Sequence, residues 1–194
     1  KATSSLLTAN SEYGTFDVNV SALGATPVFF SLENLMWTVL STTGSDLNTC
    51  KTPLDPCQTI QGAISKAPIG DTIYVAEGTY TSSGEEVVKN DKGLSLSGGW
   101  TANFDTQTGY STIDGENTRR GITMTSGQYV AVMDRFIVTN GVATSNGGGI
   151  LVSNGNTLKI INSTISNNFA VNGGGIYADA STALVIVYST INNN

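Results

Sequence analysis

Apolar residues in this chain fall in short alternating runs, and in its second half the runs recur at a fixed spacing. Ile150-Leu-Val152, Leu158-Lys-Ile160 and Ser163-Thr-Ile165 return, 26 residues later, as Ile176-Tyr-Ala178, Leu184-Val-Ile186 and Ser189-Thr-Ile191. Alternation with a period of two marks strands with one buried face. The phrase Asn146-Gly-Gly-Gly-Ile150, repeated as Asn172-Gly-Gly-Gly-Ile176, supplies a tight corner and the strand that leaves it. A fixed period in the twenties predicts a β-solenoid, in which each coil buries its apolar side chains only by stacking on its neighbours.

Carried back through the chain, the pattern gives three sets of strands. One runs Ile73-Tyr-Val75, Leu94-Ser-Leu96, Ile122-Thr-Met124, Ile150-Leu-Val152 and Ile176-Tyr-Ala178; a second centres on Ile113, Ile137, Ile165 and Ile191; a third runs Val130-Ala-Val132, Leu158-Lys-Ile160 and Leu184-Val-Ile186. Three strands per coil predict an all-β fold, a parallel β-helix whose tube is filled with aliphatic side chains. Each is worth roughly 1.5–3 kcal/mol when fully buried. Lys159, between Leu158 and Ile160, points outward, and the extra residues in Gly141–Asn146 relative to Phe169–Asn172 lengthen a turn.

Upstream the period changes. Over Gln58–Ala67, Ile60, Ala63, Ile64 and Ala67 recur at helical spacing before Pro68 and Gly70, which predicts one short amphipathic helix. Residues 1–44 lack the repeat. Phe16, Val18 and Val20 alternate with Asp17 and Asn19 as a strand, with further strand candidates at Val28-Phe-Phe30 and Leu35–Leu40. The chain therefore divides into an N-terminal strand extension (1–36), a cap with a cysteine loop, the helix and the first coil (37–80), and the remaining coils (81–194), with no cap after Asn194.

Asp46 through Cys57, Thr59-Ile-Gln-x-Ala-Ile64, Gly70-Asp-Thr-Ile-x-Val-Ala-x-Gly-Thr-Tyr80, Leu94-Ser-Leu-Ser-Gly-Gly-Trp100 and Ser111-Thr-Ile-Asp-Gly115 resemble the opening coils of right-handed parallel β-helix proteins of the pectate-lyase-like superfamily, closest to exported bacterial repeat proteins. The resemblance covers 37–194 and implies that the short helix caps the first coil. The later coils are similar to the repeats of polymorphic outer-membrane proteins. Where those carry Gly-Gly-Ala-Ile and Phe-x-x-Asn, this chain has Gly-Gly-Gly-Ile and Ile-x-x-Asn, at Ile137–Asn140, Ile165–Asn168 and Ile191–Asn194.

Composition narrows the chemistry. Charged residues make up 12% of the chain, the net charge is −6 and the basic residues are scattered, which argues against nucleic acid as a partner. There is no histidine, so Ser/His and Cys/His pairs and imidazole metal sites are excluded, and no cofactor is expected. No run reaches transmembrane length. Cys50 and Cys57 flank a Pro-rich loop and read as a disulfide, the alternative being two unpaired buried thiols; a disulfide places the protein outside the cell or on its surface.

Asn140, Asn168 and Asn194 follow their isoleucines at equal offsets and predict a stacked structural amide column, with a ligand-binding row as the alternative. Trp100, Phe104, Asp105 and Tyr110, with Asp114 and Glu116 soon after, form a candidate glycan contact; the alternative is a loop whose aromatics fold back onto the coils. The resemblance leaves Asp114, Asp134 and one of Arg119, Arg120 or Arg135 as the conceivable lyase remnant, against turn ion pairs. Asn19-Val-Ser21 and Asn162-Ser-Thr164 match the glycosylation pattern.

These readings converge on an extracellular, non-enzymatic structural or adhesive solenoid. It is expected to form a homo-oligomer, by head-to-tail stacking or by donation of the Phe16–Val20 strand to a neighbour, with surface glycans as a further partner. The rival is a polysaccharide-binding or polysaccharide-cleaving β-helix.

Overall fold

A computed structural model describes residues 36–194, which form one compact unit. Phe16, Val18, Val20, Val28-Phe-Phe30 and the Asn19 sequon lie outside the described residues. The chain passes through β1 (Trp37–Val39) and the cysteine loop into α1 (Ile60–Lys66). Four coils of three strands follow: β2 (Thr72–Ala76), β3 (Gly78–Tyr80) and β4 (Glu86–Lys89); β5 (Ser95–Trp100), β6 (Ser111–Asp114) and β7 (Arg120–Met124); β8 (Val130–Asp134), β9 (Phe136–Thr139) and β10 (Ile150–Val152); β11 (Thr157–Ile161), β12 (Thr164–Ser166) and β13 (Ile176–Ala178). A last partial coil holds β14 (Ala183–Val187) and β15 (Thr190–Asn192).

Every strand pairs in parallel with its counterpart one coil away. The result is a six-stranded sheet β1-β2-β5-β8-β11-β14, a five-stranded sheet β3-β6-β9-β12-β15 and a four-stranded sheet β4-β7-β10-β13 around a common interior. This is the parallel β-helix expected from the repeat. Inward residues stack in columns: Ile73, Leu96, Met133 and Ile160 on the first sheet, Ile113, Val138 and Ile165 on the second, Val88, Ile122 and Ile150 on the third. All of these are buried.

Two details of the predicted phase are corrected. Ile73–Val75 and Leu96 belong to the six-stranded sheet with the 130s, 150s and 180s, not with Ile122 and Ile150; the early strand that pairs with β7 is β4, whose Val87 and Val88 carried no repeat signal. The step from Ser97 to Asp134 contains the irregular 101–110 loop and is much longer than the step from Thr72 to Ser95, so a period read from the late coils slips in the early ones. Likewise Val138, not Ile137, stands in register with Ile113 and Ile165, and Ile137 faces the outside.

Backbone chemistry explains the corners. Arg135, Asn162 and Tyr188 stack where the first sheet turns into the second, all with φ between 48° and 60°; Asn140, Asn167 and Asn193 stack where the second sheet ends, with φ between 52° and 57°. Asparagine tolerates this left-handed region better than most residues. Within the repeated glycines only the first of each run has positive φ, 64° at Gly147 and 60° at Gly173. The others serve close approach: a Cβ on Gly149 would stand 2.5 Å from Gly175 O, and one on Gly148 2.3 Å from Phe169 O.

The helix closes one end of the tube, burying Ile60, Ala63 and Ile64 in the same core as β1 and β2. Thr59 is its N-cap, accepting from Gly62 N at 2.9 Å. The Asp46 carboxylate accepts from Gln58 N and Thr59 N, each at 2.9 Å, and from Thr59 Oγ1 at 2.6 Å. At the other end of the helix the Lys92 ammonium donates to the carbonyls of Ile64, Ser65 and Ala67, each at 2.9 Å, where the helix dipole favours a cation. No helix among the described residues is long and apolar enough to cross a membrane.

Candidate functional site

The disulfide is formed, Cys50 to Cys57, with the Cα atoms 4.9 Å apart and both residues buried. Its loop lies along β1: Thr38 N donates to Cys50 O at 2.8 Å, Cys57 N to Thr38 O at 2.9 Å and Leu40 N to Cys57 O at 2.9 Å. Polar groups of β1 that would template another strand are thereby occupied. Asp55 holds the loop by accepting from Thr49 Oγ1 and Thr49 N, and these bonds keep its carboxyl below the ordinary range. Tyr80 ties β1 to β2, its hydroxyl standing 3.3 Å from Val39 O and 2.9 Å from Ala76 O, the two acceptors that share its hydrogen; burial pushes that hydroxyl well above its ordinary pKa.

The amide column is real for two of its three predicted members. Asn168 Nδ2 donates to Asn194 Oδ1 at 2.9 Å, and Asn168 Oδ1 accepts from Gly141 N at 2.8 Å. Asn140 is one register position away: Gly141 occupies the place its side chain was assigned, because Val138 rather than Ile137 aligns with Ile165. Asn140 instead donates to Asp114 Oδ1, 3.0 Å away, in the preceding coil. A signal that could have found this is the Asn-Asn pair in two of the three coils, at 167–168 and 193–194, against Asn-Gly at 140–141.

The Trp100–Tyr110 loop does not bring its four candidates together as a platform. Phe104 is buried with Leu40 and Ala76. Trp100 packs edge-on against Tyr74, ring centroids 5.4 Å apart. The Asp105 carboxylate is consumed within its own turn, accepting from Thr101 Oγ1 and Asn103 Nδ2, each at 2.7 Å, and those bonds, Thr101 first, hold its carboxyl below the ordinary range. Of the three aromatics only Tyr110 is exposed.

Asp114 accepts from Glu116 N at 2.8 Å as well as from Asn140, Arg119 pairs with Glu116, and Arg120 pins the next coil by donating to Gly147 O at 2.8 Å and Asn146 O at 3.0 Å. Asp114 lies on the five-stranded sheet and Asp134 on the six-stranded one. Among the described residues no three His, Cys, Asp or Glu side chains are placed to hold a metal ion.

Sequence reasoning missed one feature. The outer face of the six-stranded sheet carries an open trough of about 420 Å³ lined by Thr72, Ser95, Ser97, Val132, Asp134 and Ile161, with Leu96 and Asn162 at its floor and end. It exists because serines stand in register with larger outward residues: Ser97 lies between Tyr74 and Asp134. Residues contributed by four strands carry no local signature.

Fold and cap together define the class, a disulfide-closed parallel β-helix. Compared with known protein families, with curated proteins and with solved structures, the chain matches none.

Proposed function

We propose that the protein is an extracellular, non-enzymatic β-solenoid, a structural or adhesive component of the cell surface that associates head to tail. The observation that carries this reading is the stack itself: the described strands pair in parallel coil upon coil in three sheets, and the Cys50–Cys57 disulfide clamps the cap, which together make a stiff rod. The alternating segment Phe16–Val20 has the pattern of a donated strand. Head-to-tail contact of this kind does not close on itself and yields a filament.

The disulfide favours an oxidising compartment, and the sequence resemblance to exported repeat proteins of the pectate-lyase-like superfamily points the same way. The non-enzymatic reading is supported by the use of Asp105, Asp114 and Arg120 in turn and backbone hydrogen bonds.

Negative-stain microscopy and light scattering of the 194-residue chain over a concentration series test the proposal. Filaments or concentration-dependent oligomers are expected, shortened or lost on deletion of residues 1–20. Monodisperse monomers at the highest concentration would refute it.

A further inference from the structure

We propose that the trough on the outer face of the six-stranded sheet is a binding site for a neutral glycan, a run of uncharged sugar rings laid across the coils. The inference is independent of head-to-tail association, since the trough lies on the flank of the tube and not at its end.

The polar lining is pre-oriented. Ser97 Oγ accepts from Trp100 Nε1 at 3.0 Å and from Gln107 Nε2 at 3.2 Å, so its lone pairs are engaged while its own hydrogen has no acceptor among the described residues. Ser95 Oγ accepts from Val132 N at 3.2 Å and is likewise left with a free hydrogen. These hydroxyls therefore act as donors into the trough.

Beside them stands an acceptor. Asp134 takes one bond on each oxygen, from Asn162 Nδ2 at 2.9 Å and from Gln107 Nε2 at 3.3 Å. No Lys or Arg pairs with it among the described residues, and both oxygens keep lone pairs for incoming hydroxyls. Donors and a two-oxygen acceptor within one strand spacing match vicinal sugar hydroxyls, which donate and accept in the same plane. Val132 and Ile161 supply the apolar surface that the C–H faces of sugar rings need.

Charge decides the glycan class. The only ionisable group lining the trough is the Asp134 carboxylate, and the chain carries −6 overall, so a polyuronate would be repelled at the point of closest contact. Lys159 stands in register with Val132 one coil on but is not part of the lining. The volume lies within the roughly 300–1,000 Å³ range of small-molecule sites and holds a short segment, with the open sides letting a longer chain pass through.

Titration calorimetry with cellohexaose, mannohexaose, xylohexaose and hexagalacturonate, followed in parallel by tryptophan emission, tests the site, because Trp100 is bonded directly to Ser97. At least one neutral hexamer is expected to bind and to shift the emission, with hexagalacturonate at least tenfold weaker. Asp134→Asn keeps the shape of the trough and should weaken the neutral ligand by tenfold or more. Val132→Trp, at an outward position, should block it while thermal unfolding stays within a few degrees of wild type. Failure of all three neutral hexamers to bind, tighter binding of hexagalacturonate, or neutral binding unchanged in both variants would overturn the proposal.

Discussion

Asn168 offers the sharpest test of how the coils are held together. Its side chain is buried and reaches three coils: the two Nδ2 hydrogens are shared among Val138 O at 3.1 Å, Ser166 O at 3.0 Å and Asn194 Oδ1 at 2.9 Å, while Oδ1 accepts from Gly141 N at 2.8 Å. Asn168→Ala removes all of these at once. An orphaned buried polar group costs about 1–3 kcal/mol, and Gly141 N–H becomes one in the interior while the bonds to Val138, Ser166 and Asn194 are lost with it, so the loss is about 2–4 kcal/mol. For a chain of this size that lowers Tm by about 5–10 °C. Asn172→Ala is the internal control: its side chain is exposed and donates only to Asn146 Oδ1 at 2.9 Å, so its loss stays below about 1 kcal/mol. Asn168→Asp separates hydrogen bonding from volume. An ionised carboxylate there cannot donate to Val138 O or Ser166 O, so its folded pKa rises above the unfolded value of about 3.9. The deficit of this variant is then smallest below about pH 4 and grows as pH rises towards the folded pKa. Urea denaturation at several pH values, read by circular dichroism, decides the matter. Equal destabilisation by Asn168→Ala and Asn172→Ala, or a deficit in Asn168→Asp that does not depend on pH, would refute the argument.

Other outcomes are expected with equally direct checks. Reducing the Cys50–Cys57 bond, or replacing both residues with alanine, frees a short loop worth about 2.5 kcal/mol in the chain-entropy picture; wild-type Tm should fall on adding reductant, the double variant should not respond, and a wild type indifferent to reductant would sink the assignment. Asp179 accepts from Asn154 N at 2.9 Å and from Ser181 and Thr182, and these bonds, Asn154 first, lower its carboxyl from 3.8 to about 2. Because the folded pKa is depressed, its stabilisation is present above the unfolded value and lost as pH falls through the folded one. Asp179→Asn should therefore differ most in Tm from wild type above about pH 4 and converge with it near pH 2, and parallel pH profiles would contradict this.

The repeat, the helix and the disulfide were legible because each rests on a local pattern: identical phrases one coil apart, apolar residues three and four apart, two cysteines across a Pro-rich loop. The phase of the coils was not. It depends on where loops store extra residues, and the 101–110 loop and the Val142–Asn146 turn shift it without leaving a mark in the strands themselves. Asn140 was misplaced for that reason: it follows an isoleucine at the expected offset, but the isoleucine faces outward. Gly148 and Gly149 read as turn residues, although their requirement is the carbonyl of the next coil, which no single coil reveals. The trough is the extreme case, built from outward-facing residues that sequence patterns treat as solvated filler.

The six-stranded sheet is not uniformly joined. β8 is tied to β11 by five register pairs, yet to β5 by only Leu96 with Met133 and Ser97 with Asp134, and Ser95 Oγ completes that joint by taking Val132 N. Under tension along the axis the coils bear load in series, so on this side of the tube rupture begins between the second and third. That flank of the tube thus has a built-in weak joint, while β6 and β9 hold the same two coils together by four register pairs on the next sheet. A molecule pulled along its axis would therefore open first on the flank of the six-stranded sheet and bend about the other two, a hinge rather than a clean break.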